Sequence, residues 1–309
     1  MLSTPMDVLH RFEIRKTKPQ KQAFRDAVQD YAQKLGYIVN IEKGKGAENV
    51  IIGNPLTAKY LITAHYDTCP RSFFPNMVTP FNFAFYILYQ LLIVAGFFAV
   101  AGLVSLPVYL ITKDDYIAFV VAMAVYWLQL ILMMFGPANK HTANDNTSGV
   151  VTLLEIARTL PEKERSKVCF ILFDLEEVGL VGSAAYRKAH KTETDRQIVL
   201  NLDCVGDGDT LHLIPNKKVL SDTAMMEKLS SIQGDWGEKS IRVHRKGFSM
   251  YPSDQKHFPL GVAIGAFHHH KLLGYYYSRI HTNRDTVLDM TNVNILRAAL
   301  ITLVCGDTK

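Results

Sequence analysis

Two histidines and a set of carboxylates stand where a metal site could form. His65-Tyr66-Asp67 follows the apolar run YLITA, Glu176-Glu177 follows VCFILFDL, and Asp203 follows IVLNL. Asp145-Asn146 comes just before a stretch of helical character, and Arg279-Ile280-His281-Thr282 shortly precedes Asp285-Thr286. In open α/β sheets ligands gather beyond the carboxyl ends of the strands, so these groups would share one edge. Taken singly, each has an ordinary structural explanation. An acid before a helix caps it, a glutamate pair after a strand is solvated, and a lone histidine is a satisfied polar side chain. Their convergence on one edge points instead to chemistry. Two histidines with three carboxylates, one of them bridging, offer nitrogen and oxygen ligands for two Zn²⁺ ions. Asp67, two residues after His65, can accept from the ring nitrogen that faces away from a metal. A further acid is needed to take a proton from the activated water. The pair Glu176-Glu177 can divide these roles, one acid facing the water and the other the metal.

These groups need a sheet to position them. Residues 18–35 have helical periodicity and end at Gly36, and short strand-like runs follow at 37–41 and 49–52 before YLITA. Residues 148–160 read as a helix stopped by Pro161, VCFILF and IVLNL as buried strands, and LHLI as a shorter one. Helical stretches are expected at 183–189, 224–232 and 293–304, with GVAIGAF as another strand. Helices alternating with uninterrupted apolar strands imply an α/β fold with a mixed, mostly parallel central sheet covered by helices on both faces. His268-His269-His270 and Tyr275-Tyr276-Tyr277 read as a loop before His281, lining the pocket, sitting at a membrane interface or simply exposed. Residues 11–25 hold six basic side chains and one acid, the pattern of a solvated face that could touch anionic headgroups.

The chain has 309 residues, of which 48% are hydrophobic and 20% charged, which excludes a disordered protein. The apolar excess is local. Residues 72–112 and 116–139 carry no charge, and Lys113-Asp114-Asp115 separates them. Each run exceeds the roughly 20 residues that a bilayer core demands of a helix. The expectation is a transmembrane hairpin over residues 73–137, touching lipid through residues 81–136, with the charged turn on the far side. Ala95 with Ala99, and Ala118 with Ala122, offer small residues for close helix contact, and Pro107 could kink the first helix. A buried helical pair in a soluble oligomer is the alternative. Arg71 and Lys140 flank the near side, no secretory signal is visible, and the four cysteines are scattered. Together these place the catalytic domain of an integral membrane protein on the cytoplasmic side. The net charge of +5 comes without a Lys/Arg stripe interleaved with aromatics, so no nucleic-acid partner is expected. Cys69 and Cys204 lack a neighbouring base and read as structural thiols. The residues carry no signal for an oligomeric state.

The motifs HYDT, ANDNTSGV, FDLEEVGLVGS, NLD and IHTNRDT occur in an order that resembles the co-catalytic zinc exopeptidase family of bacterial leucyl aminopeptidase and glutamate carboxypeptidase, to which glutaminyl cyclases are related. The resemblance covers residues 20–72 and 138–305. It implies one zinc held by His65 and Asp203, a second held by Glu177 and His281, and Asp145 bridging them. Glu176 would be the general base, Asp67 would stand behind the ligands, and the Asp145–Asn146 peptide would be cis. Ser253-Asp254 is similar to a Ser-Asp-His segment of the family, with Gln255 in place of the histidine. In relatives only a few tens of residues separate the first histidine from the bridging aspartate, whereas here His65 and Asp145 are eighty apart. Removing 73–137 restores the ordinary spacing, so 1–72 and 138–309 are expected to form a single catalytic domain with the hairpin inserted at the rim of its site. The implied function is a membrane-anchored zinc-dependent amide hydrolase, an aminopeptidase-like exopeptidase acting on a peptide. The hairpin adds hydrophobic peptides or N-acyl amino acids arriving from the lipid side. A glutaminyl-cyclase-like aminoacyltransferase with one zinc and a non-catalytic membrane scaffold are the alternatives; the complete set of ligands and base argues against both.

Overall fold

The computed structural model describes residues 2–72 and 74–306. Among these, the apolar runs become strands β1 (Val39–Gly44), β2 (Ala47–Ile52), β3 (Tyr60–His65), β4 (Val168–Phe173), β5 (Ile198–Leu202) and β6 (Thr210–Pro215). They are followed by β7 (Gly234–Trp236), β8 (Lys239–Val243), β9 (Gly261–His270) and β10 (Gly274–Tyr276). One mixed sheet results, in the order β1-β2-β4-β3-β5-β9-β6-β8-β7, with β10 paired to β9. The four neighbours β4, β3, β5 and β9 run parallel at its centre. The helices are α1 (Asp7–Phe12), α2 (Lys18–Lys34), α3 (Phe83–Thr112), α4 (Asp115–Phe135) and α5 (Gly149–Thr159). After them come α6 (Val181–Ala189), α7 (Lys191–Thr194), α8 (Lys217–Leu220), α9 (Thr223–Ser230) and α10 (Met290–Cys305).

The period-two alternation of the central strands divides the core into two layers. Ile62, Phe170, Leu172 and Leu200 pack with Phe24 and Val28 of α2, Leu153 of α5 and Leu296 of α10. Leu61, Ile171 and Val199 pack on the other face against Tyr186 of α6 and Phe258. Burying each such side chain contributes about 1.5–3 kcal/mol, so the strands that carry the site also hold the domain together. Local signals set the helix ends. Thr17 and Gln20 form a reciprocal capping box at the start of α2, and α5 ends at the residue before Leu160-Pro161.

α3 and α4 do not join that core. They have 30 and 21 residues with mean hydropathy of 2.5 and 2.3 over their most apolar windows, and only 11% and 0% of those windows are buried. At 1.5 Å per residue they span about 45 and 31 Å, against a hydrocarbon core of about 30 Å. Both are therefore long and apolar enough to cross a membrane. Lys113 closes α3 in the left-handed conformation, and the Asp114 carboxylate accepts from the Tyr116 and Ile117 N–H groups to start α4. The seam differs from the expected one on α3, where Ala95 and Ala99 face outward while Phe97 and Ala101 are buried; on α4, Ala118 and Ala122 are half-buried. Gln129 Nε2 crosses the seam to Phe97 O at 3.1 Å, and Phe98 stacks on Tyr126. α3 runs on through Pro107.

Two further expectations are corrected. Arg15, Lys21 and Arg25 are buried rather than solvated. Lys21 pairs with Asp174 at 2.6 Å and Arg25 with Glu48, while Arg15 donates to Tyr66 O and to Thr147 Oγ1. The histidine and tyrosine triplets form no loop: β9 continues through His270 and pairs with β10, placing His268 opposite Tyr276. The edge pair β7–β8 was not expected at all.

Candidate metal centre

β4, β3 and β5 are adjacent and parallel, so their carboxyl ends deliver Glu176-Glu177, His65 and Asp203 side by side. Asp145 arrives from the loop before α5, and its peptide to Asn146 is cis. Asn146 ties that loop to the end of β5. Its Oδ1 accepts from the Gly149 and Cys204 N–H groups at 3.1 and 3.3 Å, and its Nδ2 donates to Leu202 O at 2.9 Å. His281 comes from the segment before α10. Asp207 anchors that segment by meeting Arg279 at 3.3 Å, and it also pairs with His268 at 2.9 Å.

The Asp145 carboxylate lies between the two histidines. His65 Nε2 is 3.1 Å from its Oδ1, and His281 Nε2 is 3.0 Å from its Oδ2. His65 Nε2 is also 3.7 Å from Asp203 Oδ1, and His281 Nε2 is 3.3 Å from Glu177 Oε2. The structure thus brings His65, Asp145, Glu177, Asp203 and His281 into one cluster, with Glu176 grouped beside His65 and Asp203. Asp67 does more than stand behind His65. It is 3.5 Å from His65 Nδ1, long for a hydrogen bond. Its two oxygens accept the Glu176 and Glu177 N–H groups at 2.9 and 3.2 Å, so it sets the position of the glutamate pair.

The electrostatics describe an anionic hole. Burial pushes the Glu176 carboxyl well above its ordinary range, and the charges of Glu177, Asp254 and Asp203 add to this against the pull of His65. Glu177 is raised by burial and by Asp145. Asp254, also buried, is pushed up to about 7. Asp145 and Asp67 go the other way: burial works against their charge, but hydrogen bonds from His281 and His65 hold Asp145 low and the contact with His65 lowers Asp67. For His65, burial disfavours the cation, yet the Glu176 charge and the Asp145, Asp203 and Asp67 oxygens outweigh it and raise its pKa well above normal. Glu177 Oε1 is buried without a hydrogen-bond partner. Crowded carboxylates, one of them with an orphaned oxygen, and imidazole nitrogens aimed at the same point are what divalent cations neutralise. The residues fit a divalent metal site.

Two positioning groups were not read from the sequence as such. Asp285, buried, accepts the Asn144 N–H at 2.7 Å and the Asp145 N–H at 3.0 Å. Asn144 Oδ1 then holds the Gly206 and Asp207 N–H groups. Cys69 and Cys204 are both buried, and burial raises their thiols well above normal, so neither is a ready nucleophile.

The description Peptidase family M28 matches residues 127–304. Aminopeptidase YwaD of Bacillus subtilis (strain 168) is 31% identical over 109 residues, which is 30% of this chain and 24% of that protein; the chain therefore matches about a quarter of its curated relative's length. The Legionella pneumophila LapA aminopeptidase structure superposes with a TM-score of 0.58 at 14% identity, over 97% of this chain and 69% of that one. The Porphyromonas gingivalis glutaminyl cyclase structure gives 0.60 at 16% identity, over 99% and 98%. At such identities the two structures establish a shared fold. The family match is independent of them and extends over more than half of the sequence, from within α4 into α10, so this chain belongs to peptidase family M28.

Proposed function

We propose that this chain is a membrane-anchored, zinc-dependent amide hydrolase of aminopeptidase-like type. Two Zn²⁺ ions would be held per chain, one by His65 and Asp203 and the other by Glu177 and His281, with Asp145 shared between them. The observation that carries this reading is the Asp145 carboxylate, one oxygen of which faces each histidine at 3.1 and 3.0 Å. When bound, such ions lower the pKa of a water and polarise the scissile carbonyl. The chain's own groups do the rest. Glu176, grouped beside His65 and Asp203, would take the proton from the water and pass it to the leaving amine. Asp67, through the two backbone N–H groups it holds, keeps Glu176 turned toward the water and Glu177 toward the metal.

The domain reading follows the same lines: 1–72 and 138–309 form the catalytic unit, and 73–137 form its anchor. Pairing at Pro70 and Ala138, where the chain leaves and re-enters side by side, supports it. So does the hydrogen bond from Arg71 N to Pro137 O at 2.8 Å. Arg71 and Lys140 on the near side favour a catalytic domain facing the cytoplasm.

Glu176→Gln keeps the shape of the site and removes the base. Turnover of amino-acyl amides should fall about 100- to 10,000-fold while bound zinc is unchanged. Near-normal turnover would remove Glu176 from its role. Cyclisation of an N-terminal glutaminyl peptide, with no hydrolysis of amides, would replace the hydrolase reading by the cyclase one.

A further inference from the structure

A cavity of about 350 Å³ lies between the hairpin and the catalytic domain. One wall is built by α3 and α4, through Tyr86, Ile93, Val94, Phe97 and Met133, and the other end reaches Glu177 and His281. A second cavity of about 360 Å³ shares Phe74, Phe97 and Met133 with it and continues to Val100 and Leu132. A third, of about 290 Å³, shares Ser72 and Pro75 with the first and is lined by Arg71 and Arg284. The proposed zinc ligands thus open onto a passage along membrane-type helices that is mixed near the ligands, where Asn76, Gln90 and Tyr126 line it, and apolar farther along at Val100 and Leu132, with a basic recess at its side.

We infer that the substrate is an N-acyl amino acid with a long unbranched acyl chain, the chain lying along α3 and α4 and the carboxylate meeting Arg71 and Arg284. This rests on the amide-hydrolase reading above and names its substrate class. Three observations support the occupant. From Tyr86 to Phe97 the wall runs eleven residues, about 16 Å of helix, longer than any amino-acid side chain reaches. The helix backbones bond internally and the Gln129 amide is engaged by Phe97 O and Val125 O, so only the side chains of Asn76, Gln90, Tyr86 and Tyr126 near the ligand end could meet an extended peptide's backbone groups, and none lines the deeper part at Val100 and Leu132. An alkyl chain has no such groups. Finally, the outer surfaces of α3 and α4 are exposed and apolar, so a chain dissolved in a bilayer around them would lie beside the helices that wall the cavity. Hydrolysis adds the water oxygen to the acyl carbon, breaks the C–N bond and moves one water proton to the amine. The fatty acid and the free amino acid leave.

The test uses the full-length protein in lipid nanodiscs with N-acyl-leucines of 2, 8, 12 and 16 acyl carbons, alongside leucyl amides and short apolar peptides. The value of kcat/KM should rise with chain length, by up to about fourfold per buried methylene, before levelling off. Val94→Trp and, separately, Ile93→Trp should lower it for the 12- and 16-carbon substrates at least tenfold more than for the 2-carbon one. Methyl esterification of the carboxylate should reduce turnover in the parent protein and have no effect once Arg71 and Arg284 are alanine. A 12-carbon substrate carrying a terminal diazirine should label peptides of α3 and α4, a readout that needs no turnover. Hydrolysis of short amides with no dependence on chain length, or a preference for apolar peptides over acyl amino acids, would overturn this inference while sparing the hydrolase. Labelling of α3 and α4 without hydrolysis of any amide would spare the acyl cavity and sink the hydrolase instead.

Discussion

Asp285→Ala isolates the support beneath the shared aspartate. The Asp285 carboxylate is 1% exposed and accepts two backbone N–H groups, from Asn144 and from Asp145 itself. Alanine would leave both donors unpaired in a space closed to bulk water, at about 1–3 kcal/mol each, or about 2–6 kcal/mol together. For a domain of this size each kcal/mol lowers the melting temperature by roughly 2–4 °C, so the zinc-loaded variant should melt at least about 4 °C lower. The loss should be felt twice. Asp145 would no longer be fixed between His65 and His281, and mutations of such supporting groups weaken metal affinity by about 10- to 100-fold. The assay is a thermal melt of parent and variant at fixed free zinc, followed by zinc titration against a chelator of known affinity. Asp285→Asn is the companion: it keeps one acceptor but turns an NH₂ toward an N–H, and should fall between the two. A melting temperature within 1 °C of the parent, with zinc affinity within twofold, would refute the claim that Asp285 holds the site together.

Other perturbations follow from the same contacts. His65 and His281 both have pKa values raised well above the ordinary 6.5 of a histidine, so each must release a proton to bind metal. Zinc affinity of the metal-free protein should therefore rise with pH above 6.5, by tenfold or more between pH 6 and 8, and a flat profile in a chelator competition would contradict the ligand set. Lys21→Met removes the partner of buried Asp174, whose side chain is only 4% exposed. It should cost about 3–5 kcal/mol, read as a fall of roughly 6–20 °C in melting temperature, with no change if the pair is dispensable. Gly182→Ala would push a Cβ to 2.2 Å from Asp174 O and 2.5 Å from Asn49 Oδ1. The variant should show a lowered melting temperature, because both neighbours are fixed in buried hydrogen bonds.

The sequence was most legible where hydrophobicity alone decides structure. β3, β4 and β5 are short apolar runs, the first ending in His65 and the others followed directly by Asp174 and Asp203, and a central parallel strand needs little beyond that pattern. α3 and α4 were legible because uncharged apolar runs of this length have the composition of long apolar helices and not of an aqueous loop. What escaped depends on partners far along the chain. Lys21 and Asp174 are 153 residues apart, Arg15 and Thr147 132, and Asn144 and Asp285 141, so no local pattern announces them. Six basic residues in one stretch read as a wet face, since only the fold brings Asp174 and Glu48 beneath it. β7, β8 and β10 are short and partly exposed, and their sequences GDW, KSIRV and GYY carry too little periodicity to stand out from loops. The continuation of β9 through three histidines was hidden for the same reason, because its pairing with β10 rather than its composition makes it a strand.

The most direct test of the metal centre is the zinc content of the full-length protein purified in detergent, measured by elemental mass spectrometry against protein concentration. Two zinc ions per chain are expected, falling to one or fewer when Asp145 is changed to Ala. A single ion in the parent protein would contradict the shared role of Asp145, and none, even after zinc is supplied, would contradict the metal centre altogether.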